Sequence, residues 1–323
     1  MNSDYIQTVR LLLDIAPAIF TSPVFAMKGG TALNLFVQDM PRLSVDIDVV
    51  FVPHDLDRTQ ALETISQELS AAQSRIASLG HQSDLRKSKE STESKLFVRG
   101  ENAEVKVEVN FVFRGTVLPP QQRALTPSAQ AMFTSDIQIP VLATEELYGG
   151  KLVAALDRQH PRDLFDVQFM LASRGWDETL LNCFVIYLAG HNRPAHEVLF
   201  PKDKPLDGIY REEFSGMTTK PVELRDLEAT RRRMIDELPR ALRQHHREFL
   251  LSMMRGEPDW TLLPYPHLNR LPALQWKLQN LQALKINPAK FAQQHDELAT
   301  RLKQYAGSPR SRAFTPKLRG LSM

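Results

Sequence analysis

The sequence predicts an α+β fold, with a strand-rich first half and a mostly helical second half. Three observations predict it. Residues 44–52 and 104–113 alternate apolar and polar side chains, the period of a half-buried strand. Residues 56–79 carry an apolar stripe at helical spacing and stop at Gly80. After Pro140 the strand-like runs cease, and residues 221–255 and 271–305 form the best helical patterns. The seam near residue 140 gives two expected domains, 1–140 and 141–323.

Along the chain, residues 4–20 space Ile6, Val9, Leu12, Leu13 and Ile15 on one helical face. Val24–Lys28 reads as a short strand entering the Gly29-Gly30 turn, and Thr31–Val37 as the helix that follows. In the next strand Val45, Ile47, Val49 and Phe51 alternate with Ser44, Asp46 and Asp48 until Pro53 stops the run. Lys95–Arg99 is a further strand. Residues 104–113 set Val105, Val107, Val109 and Phe111 on one face, with Glu104, Lys106, Glu108 and Asn110 on the other. Pro119, Pro120 and Pro127 mark a loop, and Met132–Ile139 is expected to be a strand. A helix is expected from Thr144, a possible N-cap, to Leu156, and another from Pro161 at a first helical position.

Composition narrows the class. With 42% hydrophobic and 24% charged residues, the 323-residue chain has the balance of a globular protein able to bury a core without staples. The single cysteine, Cys183, allows no internal disulfide and fits a reducing compartment. The start lacks the basic-then-apolar pattern of a signal peptide, and no apolar run approaches the roughly 20 residues of a membrane helix. A cytoplasmic location without membrane contact is expected. The net charge is only +2, but basic residues cluster. Arg231, Arg232 and Arg233 form a run, Arg243, His245, His246 and Arg247 follow, and Arg310, Arg312, Lys317 and Arg319 lie in a tail without acids. Such stripes either bind nucleic acid or are solvated helix faces. The nine histidines show no metal-ligand spacing, and Cys183 in its apolar run reads as buried filler.

The chemistry-bearing residues lie early. Asp46 and Asp48 are two apart on a strand, so both carboxylates leave the same face. Paired anionic oxygens call for a cation, and hard oxygen donors suit Mg²⁺. Glu108, on the polar face of its own strand, is the best third carboxylate for a two-metal clamp. Gly29 and Gly30, between a strand and a helix start, let backbone N–H groups approach a phosphate, and the Thr31 hydroxyl could add a hydrogen bond. Taken singly, each feature is more often an exposed strand or an ordinary turn. Their order and context together suit a magnesium–triphosphate complex.

These segments resemble the AbiEii/AbiGii-type nucleotidyltransferase toxins of the polymerase-β-like superfamily. The resemblance is carried by Lys28-Gly-Gly-Thr-Ala-Leu, by Arg42, Ser44, Asp46 and Asp48, and by the Lys106-Val-Glu108-Val-Asn110-Phe strand. A fourth stretch adds Lys151, Arg158, Arg162, Asp163 and Asp166. Many superfamily members carry Gly-Ser where this chain has Gly30-Thr31, and the interval from Thr31 to Asp46 is longer than in many relatives.

The resemblance implies a polymerase-β-like nucleotidyltransferase core with a mixed sheet, followed by a mostly α-helical domain that contributes Lys151 and Asp163/Asp166. It implies Asp46, Asp48 and Glu108 as metal ligands and Asp46, Asp48, Lys151, Asp163 and Asp166 as catalytic residues. Phosphate binding would fall to Lys28, Gly29, Gly30, Thr31, Arg42, Ser44, Lys151, Arg158 and Arg162. The implied activity is Mg²⁺-dependent transfer of a nucleotide from an NTP to an acceptor hydroxyl, often on tRNA, by the toxin of a toxin–antitoxin or abortive-infection pair. A cognate antitoxin is then an expected partner. A protein or small-molecule acceptor, and a silent member that only binds RNA or a partner, are the alternatives. Physically, Lys151 offers a point charge for phosphate, and Asp163 and Asp166 share a helix face. A favourable contact of Asp163 with the helix dipole, and an ordinary surface pair between Arg162 and Asp166, would explain the two acids equally.

Overall fold

The computed structural model describes residues 3–87 and 93–305. The chain forms two compact units, and the first is not one continuous stretch. Arg211–Val222 and Tyr265–Trp276 join Met1–Leu147 in it, while Tyr148–Tyr210, Glu223–Pro264 and the chain from Lys277 onward form the second.

The first unit contains α1 (Ser3–Ile19), β1 (Phe25–Lys28), α2 (Gly29–Phe36), β2 (Ile47–Phe51), α3 (Arg58–Ser78) and β3 (Gln82–Lys87). It continues through β4 (Glu93–Arg99), β5 (Glu104–Asn110), β6 (Gln121–Ala124), α4 (Pro127–Phe133) and β7 (Gln138–Val141). The strands form one mixed sheet in the order β3-β4-β5-β2-β1-β7-β6. β1 runs antiparallel to β2, whereas β2–β5 and β1–β7 are parallel.

Alternation dictates what each sheet face carries. Ile47, Val49 and Phe51 are fully buried, as are Val105, Val107 and Val109. The β2–β5 register pairs Ile47 with Val107 and Val49 with Val109, so these side chains share one face. Val9, Leu12, Ile15 and Ile19 of α1 are buried in the same core, and α1 packs against α3, β5 and β7. Asp46, Asp48, Lys106 and Glu108 are left to the opposite face by the same period of two. An Asp57–Gln60 capping box starts α3.

Several sequence expectations needed correction. Met132–Ile139 is not one strand. Pro127 opens α4, Thr134 ends it in the left-handed conformation at φ 53°, and the strand begins only at Gln138. The proline-marked loop contains β6, and the polar segment 82–87 forms β3. Both are edge strands, where neither face has to be uniformly apolar.

After the sheet the chain is helical: α5 (Thr144–Arg158) leads into α6 (Pro161–Ser173), α7 (Glu178–Ala189), α8 (Ala195–Leu199) and α9 (Asp207–Glu213). α10 (Leu224–Ala241), α11 (Gln244–Met254), α12 (Pro272–Leu284) and α13 (Pro288–Tyr305) follow. The two long helical patterns are each broken in two. Leu242 takes an extended backbone at ψ 122°, and Pro288 starts α13 afresh. Cys183 is buried, as its apolar surroundings suggested. No helix of the described residues is long and apolar enough to cross a membrane.

Candidate active site

Strand register builds the first cluster. Lys28 of β1 lies opposite Asp48 of β2, Asp48 opposite Glu108 of β5, and Glu108 opposite Lys95 of β4. Residues paired in register share a face, so Lys28, Asp48, Glu108 and Lys95 form one row across the sheet. Asp46 stands two residues ahead of Asp48, just before β2 begins. Its Oδ1 is 3.7 Å from Lys106 Nζ, and Lys106 Nζ is 3.2 Å from Glu108 Oε1. Lys95 Nζ is also 3.2 Å from Glu108 Oε1.

The electrostatics follow from these contacts. Burial opposes the charge on Glu108, yet Lys95 and Lys106 prevail and hold its carboxyl below the usual range. Burial pulls the Lys28 ammonium below its ordinary value, against the attraction of Asp48, Glu146 and Glu108. Glu146 itself is buried, and accepts hydrogen bonds at 2.9 Å from the backbone N–H groups of Val117 and Leu118.

The glycine turn lies directly against this row. Gly29 has φ 79°, and a β-carbon there would sit 2.0 Å from Asp48 Oδ2. Conformation and space both demand glycine. At Gly30 a β-carbon would lie 2.9 Å from Arg42 Nη2 and 3.0 Å from Ser44 Oγ, so Arg42 and Ser44 close on the turn from the other side. Gly29→Ala is expected to shift the Asp48 carboxylate and to lose most nucleotide binding, with unfolding at a lower temperature. A variant that binds labelled nucleotide like the parent would show that the turn tolerates a side chain.

Thr31 and Arg42 turn out to be engaged within the protein. The buried Thr31 hydroxyl donates to the Asp46 carbonyl oxygen and lies 3.0 Å from Ser44 Oγ. These contacts tie Thr31 to the Asp46 backbone and to Ser44. Arg42 is buried and donates through Nη1 to the Leu43 carbonyl at 2.9 Å. The 41–43 segment is stitched to residues 217–219: Leu43 N–H donates to Met217 O and Thr219 N–H to Pro41 O. Nothing in the local sequence signals that pairing, which comes from a stretch more than 170 residues downstream.

The second cluster belongs to the second unit. Lys151 Nζ is 2.9 Å from Asp163 Oδ1 and 3.0 Å from Asp166 Oδ2. Arg158 pairs with Asp163 through Nε and Nη2, the latter at 3.0 Å. Lys151, Asp163 and Asp166 are buried, whereas Arg158 is mostly exposed. Burial works against the Asp163 charge, but Lys151 and Arg158 overcome it and hold the carboxyl far below the usual range. His160 caps α6 by accepting the Arg162 backbone N–H at 3.1 Å, and Arg162 itself is half-buried. The sequence pointed to Lys151 as a point charge for phosphate and offered an Arg162–Asp166 surface pair as the plainer account of Asp166. The structure shows a buried ion cluster.

The basic run in α10 and α11 is largely spoken for. Arg231 is buried and donates to the Gln159 side chain and the Lys204 carbonyl, with Asp203 at 3.4 Å. Arg233 pairs with Glu237, Arg243 with Glu178, and Arg247 donates to the Pro239 and Tyr305 carbonyls. Arg232 is exposed. Glu178, His245 and His246 bring ligand-type atoms within 4.8 Å of one another, a grouping the sequence spacing did not reveal. Both ring nitrogens of His246 are engaged within the protein. Its Nδ1 accepts the Arg243 backbone N–H, and its Nε2 lies 2.9 Å from Asn182 Oδ1. Burial, then His245 and the arginines, push it down to about 3, so it stays neutral. Arg310, Arg312, Lys317 and Arg319 lie outside the described residues.

Comparison with known proteins decides the family. The sequence matches the family described as nucleotidyl transferase AbiEii toxin, type IV toxin–antitoxin system, over residues 10–280. The chain belongs to this family. It is thus an AbiEii-family nucleotidyltransferase toxin, as its motifs suggested. MenT4, a nucleotidyltransferase toxin from Mycobacterium tuberculosis H37Rv, has a similar fold. The TM-score is 0.56 at 20% identity, over 86% of this AbiEii-family chain and 94% of that one. No curated protein matches the sequence.

Proposed function

We propose that the first unit binds an NTP with Mg²⁺ and transfers its nucleotide to an RNA hydroxyl, the 3′ end of tRNA. The observation that carries this reading is the carboxylate row. Asp46, Asp48 and Glu108 lie on one sheet face, and the Gly29 backbone rests against Asp48. Three hard oxygen donors on adjacent strands fit a magnesium ion. When bound, the ion would neutralise charge on the phosphate oxygens and lower the pKa of the acceptor hydroxyl.

The chain's own groups do the remainder. α2 begins without a side-chain cap and has no acid in its first turn, so its N–H groups suit a phosphate. Thr31 holds the Asp46 backbone, and Arg42 and Ser44 brace the turn. Lys28 adds a positive charge beside Asp48. The acceptor hydroxyl gives up its proton to solvent and attacks the α-phosphorus in line, its bond to phosphorus forms as the bridge to the β-phosphate breaks, and pyrophosphate leaves. The resemblance adds Lys151, Asp163 and Asp166 to the reaction, and a cognate antitoxin and a cytoplasmic setting to the biology.

The experiment is incubation of the full chain with each labelled NTP, Mg²⁺ and total RNA, with a chelated control. Label is expected in the tRNA fraction and not in the control. The internal engagement of Arg231, Arg233, Arg243 and Arg247 favours one rival, a protein acceptor. Label that resists ribonuclease and yields to protease would establish that rival and overturn the RNA reading.

A further inference from the structure

Lys106 touches two of the acids, and the preceding reading gives it no task. Its ammonium spans Glu108 Oε1 and Asp46 Oδ1, at 3.2 and 3.7 Å. One cation thus bridges two carboxylates from adjoining strands. Lys106 and Asp46 are 34% and 42% exposed, so this bridge is open to solvent and readily exchanged. Together the cluster holds Asp46, Asp48 and Glu108 against Lys28, Lys95 and Lys106, and its formal charges cancel.

We infer that Lys106 is a resident cation that competes with the divalent metal for Asp46 and Glu108, and so couples metal binding to nucleotide binding. The inference rests on the proposed metal role of those acids. A divalent ion draws carboxylate oxygens to about 2.1 Å. The Lys106 ammonium on the same two carboxylates is then repelled and must swing away. Its flexible stem allows this, and it needs a new anion. The triphosphate of the incoming nucleotide is that anion. Metal alone therefore binds against the cost of displacing Lys106, whereas metal with nucleotide binds with that cost offset. By linkage the coupling is reciprocal. Lys106 is a positioning residue in this account.

Binding of Mn²⁺ to the full chain without nucleotide, followed by electron paramagnetic resonance, reads the competition directly. Lys106→Met is expected to bind Mn²⁺ about tenfold more tightly than the parent, a change of about 1.4 kcal/mol. Lys106→Arg should stay near the parent. Lys95→Met, which removes a charge from Glu108 but not the bridge, should shift the affinity less. Lys106→Gln guards against a folding defect in the methionine variant and should behave alike. Unchanged or weaker Mn²⁺ binding in both neutral Lys106 variants overturns the inference, as does an equal effect of Lys95→Met. Asp48→Asn separates the two claims, because it should lose Mn²⁺ binding whatever Lys106 does. If it binds Mn²⁺ like the parent, the metal reading fails and the inference falls with it.

Discussion

Asp48→Asn is expected to slow nucleotide transfer by about a thousandfold, the loss of roughly 4 kcal/mol of transition-state stabilisation. Asp48 stands at the centre of the row, between Lys28 and Glu108 in register, with Gly29 against its carboxylate. Asparagine keeps the shape and removes the charge, so the tight contact with the turn survives. Circular dichroism and the melting temperature should match those of the parent. A variant that transfers nucleotide within about tenfold of the parent would remove Asp48 from the reaction.

Lys151→Met is expected to destabilise the fold by about 3–5 kcal/mol. The reason is burial. Lys151 balances Asp163 and Asp166, which are 2% and 0% exposed, and its loss leaves Asp166 without that charge and Asp163 dependent on Arg158. The effect has a pH signature. The folded carboxyl of Asp163 lies below its ordinary value near 3.8, so its stabilising contribution is present above that value. It is lost as pH falls through the folded value. The difference between parent and variant should therefore be largest at neutral pH and shrink as pH falls, because the Asp163 carboxyl of the variant, held by Arg158 alone, takes up a proton before that of the parent. Urea unfolding at several pH values measures it. A difference under about 1 kcal/mol at pH 7, the size of a surface pair, would show that the cluster is not a buried ion set. Transfer assayed where the variant remains folded tests the part of Lys151 in the reaction separately.

Much of the first unit was legible because its central strands obey one rule. Val105, Val107 and Val109 could only face a core, which left Glu108 on the face shared with Asp46 and Asp48. The glycine turn was legible for a similar reason, since few other uses explain two glycines between a strand and a helix beside paired acids. What escaped lacks a periodic signature. β3 and β6 are polar edge strands, and residues 217–219 meet residues 41–43 only through the tertiary fold. The lysines on Glu108 come from cross-strand register, which a single strand cannot disclose. Arg231 illustrates the limit in charge patterns. Its run reads as a basic stripe, yet helical phase turns its side chain inward to hold Gln159 and Lys204. The breaks at Leu242 and Pro288 divided patterns that periodicity alone had joined, although a proline at a helix start was available to be read.

The account stands or falls on which phosphorus is attacked and where. Parallel reactions with NTP labelled at the α- or the γ-phosphate, with parent and Asp48→Asn, test this most directly. The account predicts α-label fixed on RNA by the parent, γ-label released with pyrophosphate, and neither event with the variant. Retention of γ-label on the acceptor, or equal transfer by Asp48→Asn, would contradict it.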